Sequence, residues 1–150
     1  MKKFIYSIFA VLALSCTLVA CGSDDDESAN FSTSAEQGSA GTYSGTWTRT
    51  GDDGTETFSG SVTLAAAGSG QTNVTFNCPD AELNATSIAN VWHANNGYGF
   101  FNQTVSDANG LGVSFAGRID EKGGLSTSFT FSQKVGRKNV EFKYEFIGSK

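Results

Sequence analysis

Apolar and polar residues alternate with period two over most of the chain beyond residue 41. Leu125, Thr127, Phe129 and Phe131 fall on one side of an extended chain, with Ser126, Ser128, Thr130 and Ser132 on the other. Val140, Phe142, Tyr144 and Phe146 repeat the pattern against Asn139, Glu141, Lys143 and Glu145. Successive side chains of a strand point to opposite faces. Two such runs joined through Val135, Gly136 and Arg137 therefore predict a hairpin with one wet side. A helix needs apolar residues three and four apart, and neither run has them.

The upstream segments read the same way. Tyr43, Gly45 and Trp47 alternate with Ser44, Thr46 and Thr48, and Gly51, Asp52, Asp53 and Gly54 follow as a turn. Phe58, Gly60, Val62 and Leu64 make the next face, then Val74, Phe76 and Cys78. Pro79 ends that strand because it cannot donate to a ladder. Residues 80–89 are poorly patterned and are expected to hold one helical turn or an irregular crossing. Strands are expected over 88–94, 98–105 and 111–119, divided by turns at 95–97 and 107–110. The expectation is an all-β domain of about eight short strands, closed into an antiparallel up-and-down barrel that leaves no raw edge. The alternative is a two-sheet β-sandwich, whose Greek-key crossings need longer connections than most of these turns provide.

The N-terminus carries a different signal. Lys2 and Lys3 precede an apolar run over 4–14 and then small residues up to Cys21, the order of a secretory signal peptide. A membrane-spanning helix needs ~20 apolar residues. The stretch 4–20 contains Ser7, Ser15 and Thr17, and acidic residues follow it rather than a basic flank. Leu18, Val19, Ala20 and Cys21 resemble the lipobox of bacterial lipoproteins. That resemblance implies that Cys21 is acylated, palmitate among its lipids, and becomes the first residue of the mature chain. Ser23, Asp24, Asp25, Asp26 and Glu27 resemble the acidic export signal of Bacteroidetes surface lipoproteins, which implies an outer-membrane protein exposed at the cell surface. The expected organisation is a signal peptide at 1–20, a lipidated cysteine and acidic disordered linker at 21–40, and the barrel at 41–150. A linker of ~20 such residues spans on the order of 25 Å as a coil.

Cleavage changes the charge balance. The whole chain is −5, but from residue 21 onward eight Lys/Arg face fifteen Asp/Glu, a net of −7, and residues 41–150 alone carry only −2. Nothing in that balance invites nucleic acid. Cys78 is then the one cysteine left besides Cys21 and reads as a small core residue.

Gly45, Thr46 and Trp47 resemble the Gly-x-Trp signature on the first strand of lipocalins and other calycins. The strand order over 41–150, ending in an aromatic-rich strand and Gly148, is similar to the small calycin-like barrels of Bacteroidetes lipoproteins. The resemblance implies a basic side chain from the last strands packed over Trp47, a place that only Arg137 or Lys143 would fill.

Candidate chemistry is sparse. His93 is the single histidine and has no nearby carboxylate pattern, so it reads as structural. Asp52, Asp53 and Glu56 read as turn residues, because the alternating oxygens of a calcium loop are absent. No nucleophile elbow, phosphate loop or zinc spacing occurs. The chain is therefore expected to be non-enzymatic, with no cofactor and no metal. The aromatics are the informative group, with Trp47, Trp92, Tyr98, Phe100 and Phe101 as the candidate ligand-contacting residues. The expected function is a cell-surface binding module for a small apolar ligand or a glycan, held to the membrane by the lipid on Cys21. The alternative is a filled barrel that binds or inhibits protein partners through its loops.

Overall fold

The computed structural model describes residues 33–102 and 110–150. The lipobox and the acidic run, with Cys21, Ser23, Asp24, Asp25, Asp26 and Glu27, lie outside the described residues. A short helix α1 (Ala35–Ser39) leads into eight strands. They are β1 (Gly41–Gly51), β2 (Gly54–Gly68), β3 (Gln71–Cys78), β4 (Leu83–Ala94), β5 (Gly97–Phe101), β6 (Phe115–Ile119), β7 (Gly124–Val135) and β8 (Lys138–Ser149). Each strand pairs antiparallel with the next, and β8 pairs with β1, so the sheet is a closed up-and-down barrel. The sandwich is excluded by that last pairing.

Alternation decides which side chains face inward. In β3, Thr72, Val74, Phe76 and Cys78 are buried while Gln71 and Asn77 are exposed. The core is aromatic. Trp47 is wholly buried and meets Phe76, Phe129, Tyr144 and Phe146 with ring centroids 5.0–6.5 Å apart. Phe76 passes the contact on to Phe115 at 4.9 Å, and Phe129 stacks on Tyr144 at 5.0 Å. Edge-to-face packing of this kind satisfies the ring quadrupoles as well as removing apolar surface from water. Rings from β1, β3, β6, β7 and β8 thus fill the middle of the barrel.

Barrel closure explains the Gly45–Trp47 spacing. Gly45 pairs with Gly148 across the β1–β8 seam, and a Cβ on Gly45 would overlap the Ile147 carbonyl oxygen and the Gly148 Cα. The strands can approach this closely only without a side chain there. Two residues further along, on the same inner face, Trp47 fills the space beneath the seam.

Three segments depart from the sequence expectation. Ordered structure begins ahead of Gly41, because α1 buries Ala35 and Ser39 against the barrel. Residues 80–89 hold the helical turn, as a 3-10 turn at Pro79–Ala81, and no crossing, but β4 begins at Leu83 rather than at 88. The strand expected over 111–119 shortens to β6, while 110–114 forms a connection stitched to the barrel wall. In that connection the Leu111 N–H donates to Ser87 Oγ at 2.9 Å, and Asn102 Nδ2 donates to the Val113 carbonyl at 2.9 Å. The Phe115 N–H donates back to Asn102 Oδ1 at 2.7 Å, so the buried Asn102 amide spends both ends on this connection.

Candidate binding surfaces

The five aromatics singled out from the sequence do not converge on one site. Trp47 and Phe100 are fully buried in the core. Tyr98 is half-buried beneath α1, its hydroxyl against Gly38. Trp92 and Phe101 stand together on the outer face, 5.6 Å apart and edge to face. Neither basic residue expected over Trp47 is there: Lys143 faces outward and pairs with Glu145 at 2.8 Å, and Arg137 sits in the β7–β8 turn. Aromatic rings cover Trp47 instead.

The barrel end beneath α1 is closed. Tyr43 Oη donates to the Ser39 carbonyl at 2.7 Å, and the Gly70 N–H donates to Glu36 Oε2 at 3.2 Å. Burial, with Tyr98 nearby, pushes the Tyr43 hydroxyl up to about 12. Backbone hydrogen bonds, its own first and that of Gly70 after it, hold the Glu36 carboxyl below its usual 4.5, with Ser34 and His93 adding smaller effects. His93 packs against Tyr98 at 5.2 Å. This end is a seal made of backbone and side-chain hydrogen bonds.

The opposite end contains a residue that the sequence reading passed over. Arg49 follows Trp47 on the inner face of β1, opposite Glu56 on β2 and Tyr144 on β8. Its guanidinium lies between the rings of Phe58 and Phe142, 5.2 and 5.5 Å from their centroids. Nε donates to Glu56 Oε2 at 3.1 Å and Nη2 donates to the same oxygen. Hydrogen bonding to Glu56, then to Tyr144, raises the Arg49 pKa, so the group stays charged. Beside it opens a cleft of about 360 Å³ lined by Leu83, Leu111, Phe131 and Tyr144 among others. Only the closed register of β1 on β8 brings Arg49 to Tyr144. Nothing in the local sequence signals that pairing.

A second cleft, about 680 Å³ and shallow, runs over the outside of β6, β7, β8 and β1. Its floor is small, with Ala116, Ser126, Ser128 and Thr46, and Arg118, Glu145 and Ile147 rise from it. Among the described residues no group of three His, Cys, Asp or Glu is placed to hold a metal ion, and no helix is long and apolar enough to cross a membrane. Compared with protein families, curated proteins and solved structures, the chain matches none.

Proposed function

We propose that this chain is a lipid-anchored, cell-surface binding protein of calycin-like build that is not an enzyme and seats its ligand at the barrel mouth. The lipobox ending at Cys21 and the acidic run over 23–27 support anchorage and display at the outer membrane. The barrel order and the Gly45–Trp47 signature support the calycin-like kinship.

One observation carries the choice of seat. Aromatic rings occupy the middle of the barrel, so among the described residues the inner face leaves room for a small ligand at the end away from α1, beside Arg49. That cleft pairs a guanidinium with the apolar surface of Leu83 and Phe131. Such a pairing fits a small amphipathic acid better than a wholly apolar molecule. A carboxylate would bond the planar guanidinium fork, and an aliphatic or aromatic body would lie on the apolar wall. Glu56 now occupies part of that fork. It is an exposed partner, and such pairs contribute only ~0–1 kcal/mol, so a ligand carboxylate displaces it at little cost.

Calorimetric titration with decanoate and decanol tests the reading. The acid is expected to bind at least tenfold more tightly than the alcohol. Arg49→Gln should abolish that difference, and Phe131→Ser should weaken both ligands. Decanoate that fails to bind, or that binds Arg49→Gln as it binds the wild type, refutes the mouth as an acid site.

A further inference from the structure

The outer face presents a second and unrelated chemistry around Trp92. Trp92 projects outward from β4 and lies over Gly99 of β5, its cross-strand partner. A Cβ at Gly99 would fall within 3.0 Å of the indole Nε1, and closer to its six-membered ring. The indole is therefore laid against the sheet, with 44% of the residue open to solvent. Phe101 meets it at 67°, edge to face, and braces its tilt. A glycine beneath and a phenyl ring beside make a fixed aromatic platform. An alanine at position 99 would lift it off the sheet.

Register brings polar groups to its rim. Asn90, the next outward residue of β4, pairs with Gln71 on one side and Phe101 on the other. Arg118 of β6 pairs with Gly99 from the opposite side, at the start of the larger outer cleft. Among the described residues no carboxylate lies within salt-bridge distance of Arg118. The nearby Asp120 spends its Oδ1 on the Lys122 and Gly124 N–H groups of its own turn, at 2.9 and 2.8 Å, and feels the Arg118 charge only through space. Arg118 is thus a positive charge beside an open aromatic face.

A flat ring takes the C–H face of a pyranose, amide groups both donate to and accept from its hydroxyls, and a guanidinium takes a carboxylate in bidentate fashion. These three needs coincide in a uronic acid. A protein partner fits less well. Ile88 and Trp92, the exposed apolar residues of β4, are separated by Asn90 and flanked by Arg118. They fall short of the continuous patch in the ~800 Å² that each side of a stable protein interface buries. We propose that this outer face binds an acidic polysaccharide, with one uronate ring stacked on Trp92, its carboxylate on Arg118, and its hydroxyls on Asn90 and Gln71. The proposal is independent of the mouth reading, which concerns the other face of the sheet and the far end of β1.

Tryptophan fluorescence of the full mature chain, titrated with oligogalacturonate and with an uncharged glucan of equal length, tests it. The acidic oligomer is expected to give a saturable change and the glucan at least tenfold weaker binding. Trp92→Ala should weaken oligogalacturonate binding at least tenfold when followed by calorimetry. Arg118→Gln should bring its affinity down to that of the glucan and remove most of its salt dependence. Lys138→Gln, a charge change at the start of β8, should leave binding unchanged. Both platform positions are on the surface, and unaltered circular dichroism verifies folding. Three results overturn the proposal: no saturable binding by the wild type, equal affinity for the uncharged glucan, or binding that survives both platform substitutions. A concentration-dependent dimer that Trp92→Ala abolishes would also overturn it, by assigning the face to a second copy of the chain.

Discussion

Trp47 offers the sharpest test of the packing account, because its indole is well packed yet chemically unsatisfied. The residue is fully buried against four aromatic rings, but Nε1 has no hydrogen-bond partner among the described groups. It faces Gly60, where a Cβ would come within 2.9 Å of it. Trp47→Phe removes that N–H and keeps most of the ring. The lost pyrrole edge leaves a void on the order of 40 Å³, which at ~24 cal/mol per Å³ costs about 1 kcal/mol, with lost transfer energy added. Against this, an orphaned buried donor costs roughly 1–3 kcal/mol, and the substitution relieves it. The two nearly cancel, so Trp47→Phe should change stability by less than ~1 kcal/mol, whereas Trp47→Ala should cost ~3–5 kcal/mol. Urea unfolding followed by far-ultraviolet circular dichroism reads both variants against the wild type. A loss above ~2 kcal/mol for Trp47→Phe would refute the reasoning and show that Nε1 is satisfied in solution, for instance by a bound water.

Two further expectations concern acid and anchorage. Asp120 is held below its usual 3.8 by the Gly124 and Lys122 N–H groups, so its contribution is present at neutral pH and fades as pH falls through that lowered value. The Asp120 carboxyl carbon and the Lys122 and Gly124 amides, followed by nuclear magnetic resonance, should share a midpoint below 3.8, and a midpoint at or above it would sink the turn assignment. Metabolic labelling with an alkynyl palmitate should mark the wild type and not Cys21→Ser. The unlabelled variant should also leave the membrane fraction, and equal labelling of the two would end the lipoprotein reading.

The fold was legible where inner and outer faces differ strongly in polarity, as in β3 and β7. It was obscured where they do not. In β4 the inward residues are Leu83, Ala85, Ser87, Ala89 and Val91, while Ile88 and Trp92 point out, so hydropathy contrast along the strand is small. Residues 111–114 alternate like a strand, but the Asn102 amide and the Ser87 hydroxyl capture their backbone groups and hold them as a connection. The helical plug was missed because Ala35 and Ser39 are small residues in a segment that reads as polar linker. Of the four candidate aromatics around the 95–97 turn, Trp92 and Phe101 take the outer face while Phe100 is buried and Tyr98 half-buried, a split that the shared proximity to a turn does not reveal. Arg49 was not legible, because its importance depends on Phe58 of β2 and on Phe142 and Tyr144 of β8, and two separate ladders deliver those. Register across a closed sheet is a property of the whole chain.

The β1–β8 seam also sets when this molecule can become a molecule at all. Ser44 meets Ser149, so the closing ladder joins positions on the order of a hundred residues apart, the kind of contact that makes folding slow. A chain delivered from its N-terminus holds β1 as a raw edge until β8 arrives, and the strand delivered last is a second raw edge at every stage. Until closure the unfinished sheet is therefore a template for its neighbours, and crowding favours chain-to-chain pairing over closure. A stop codon at the start of β8 would yield no smaller barrel, only a curled ribbon with two adhesive margins.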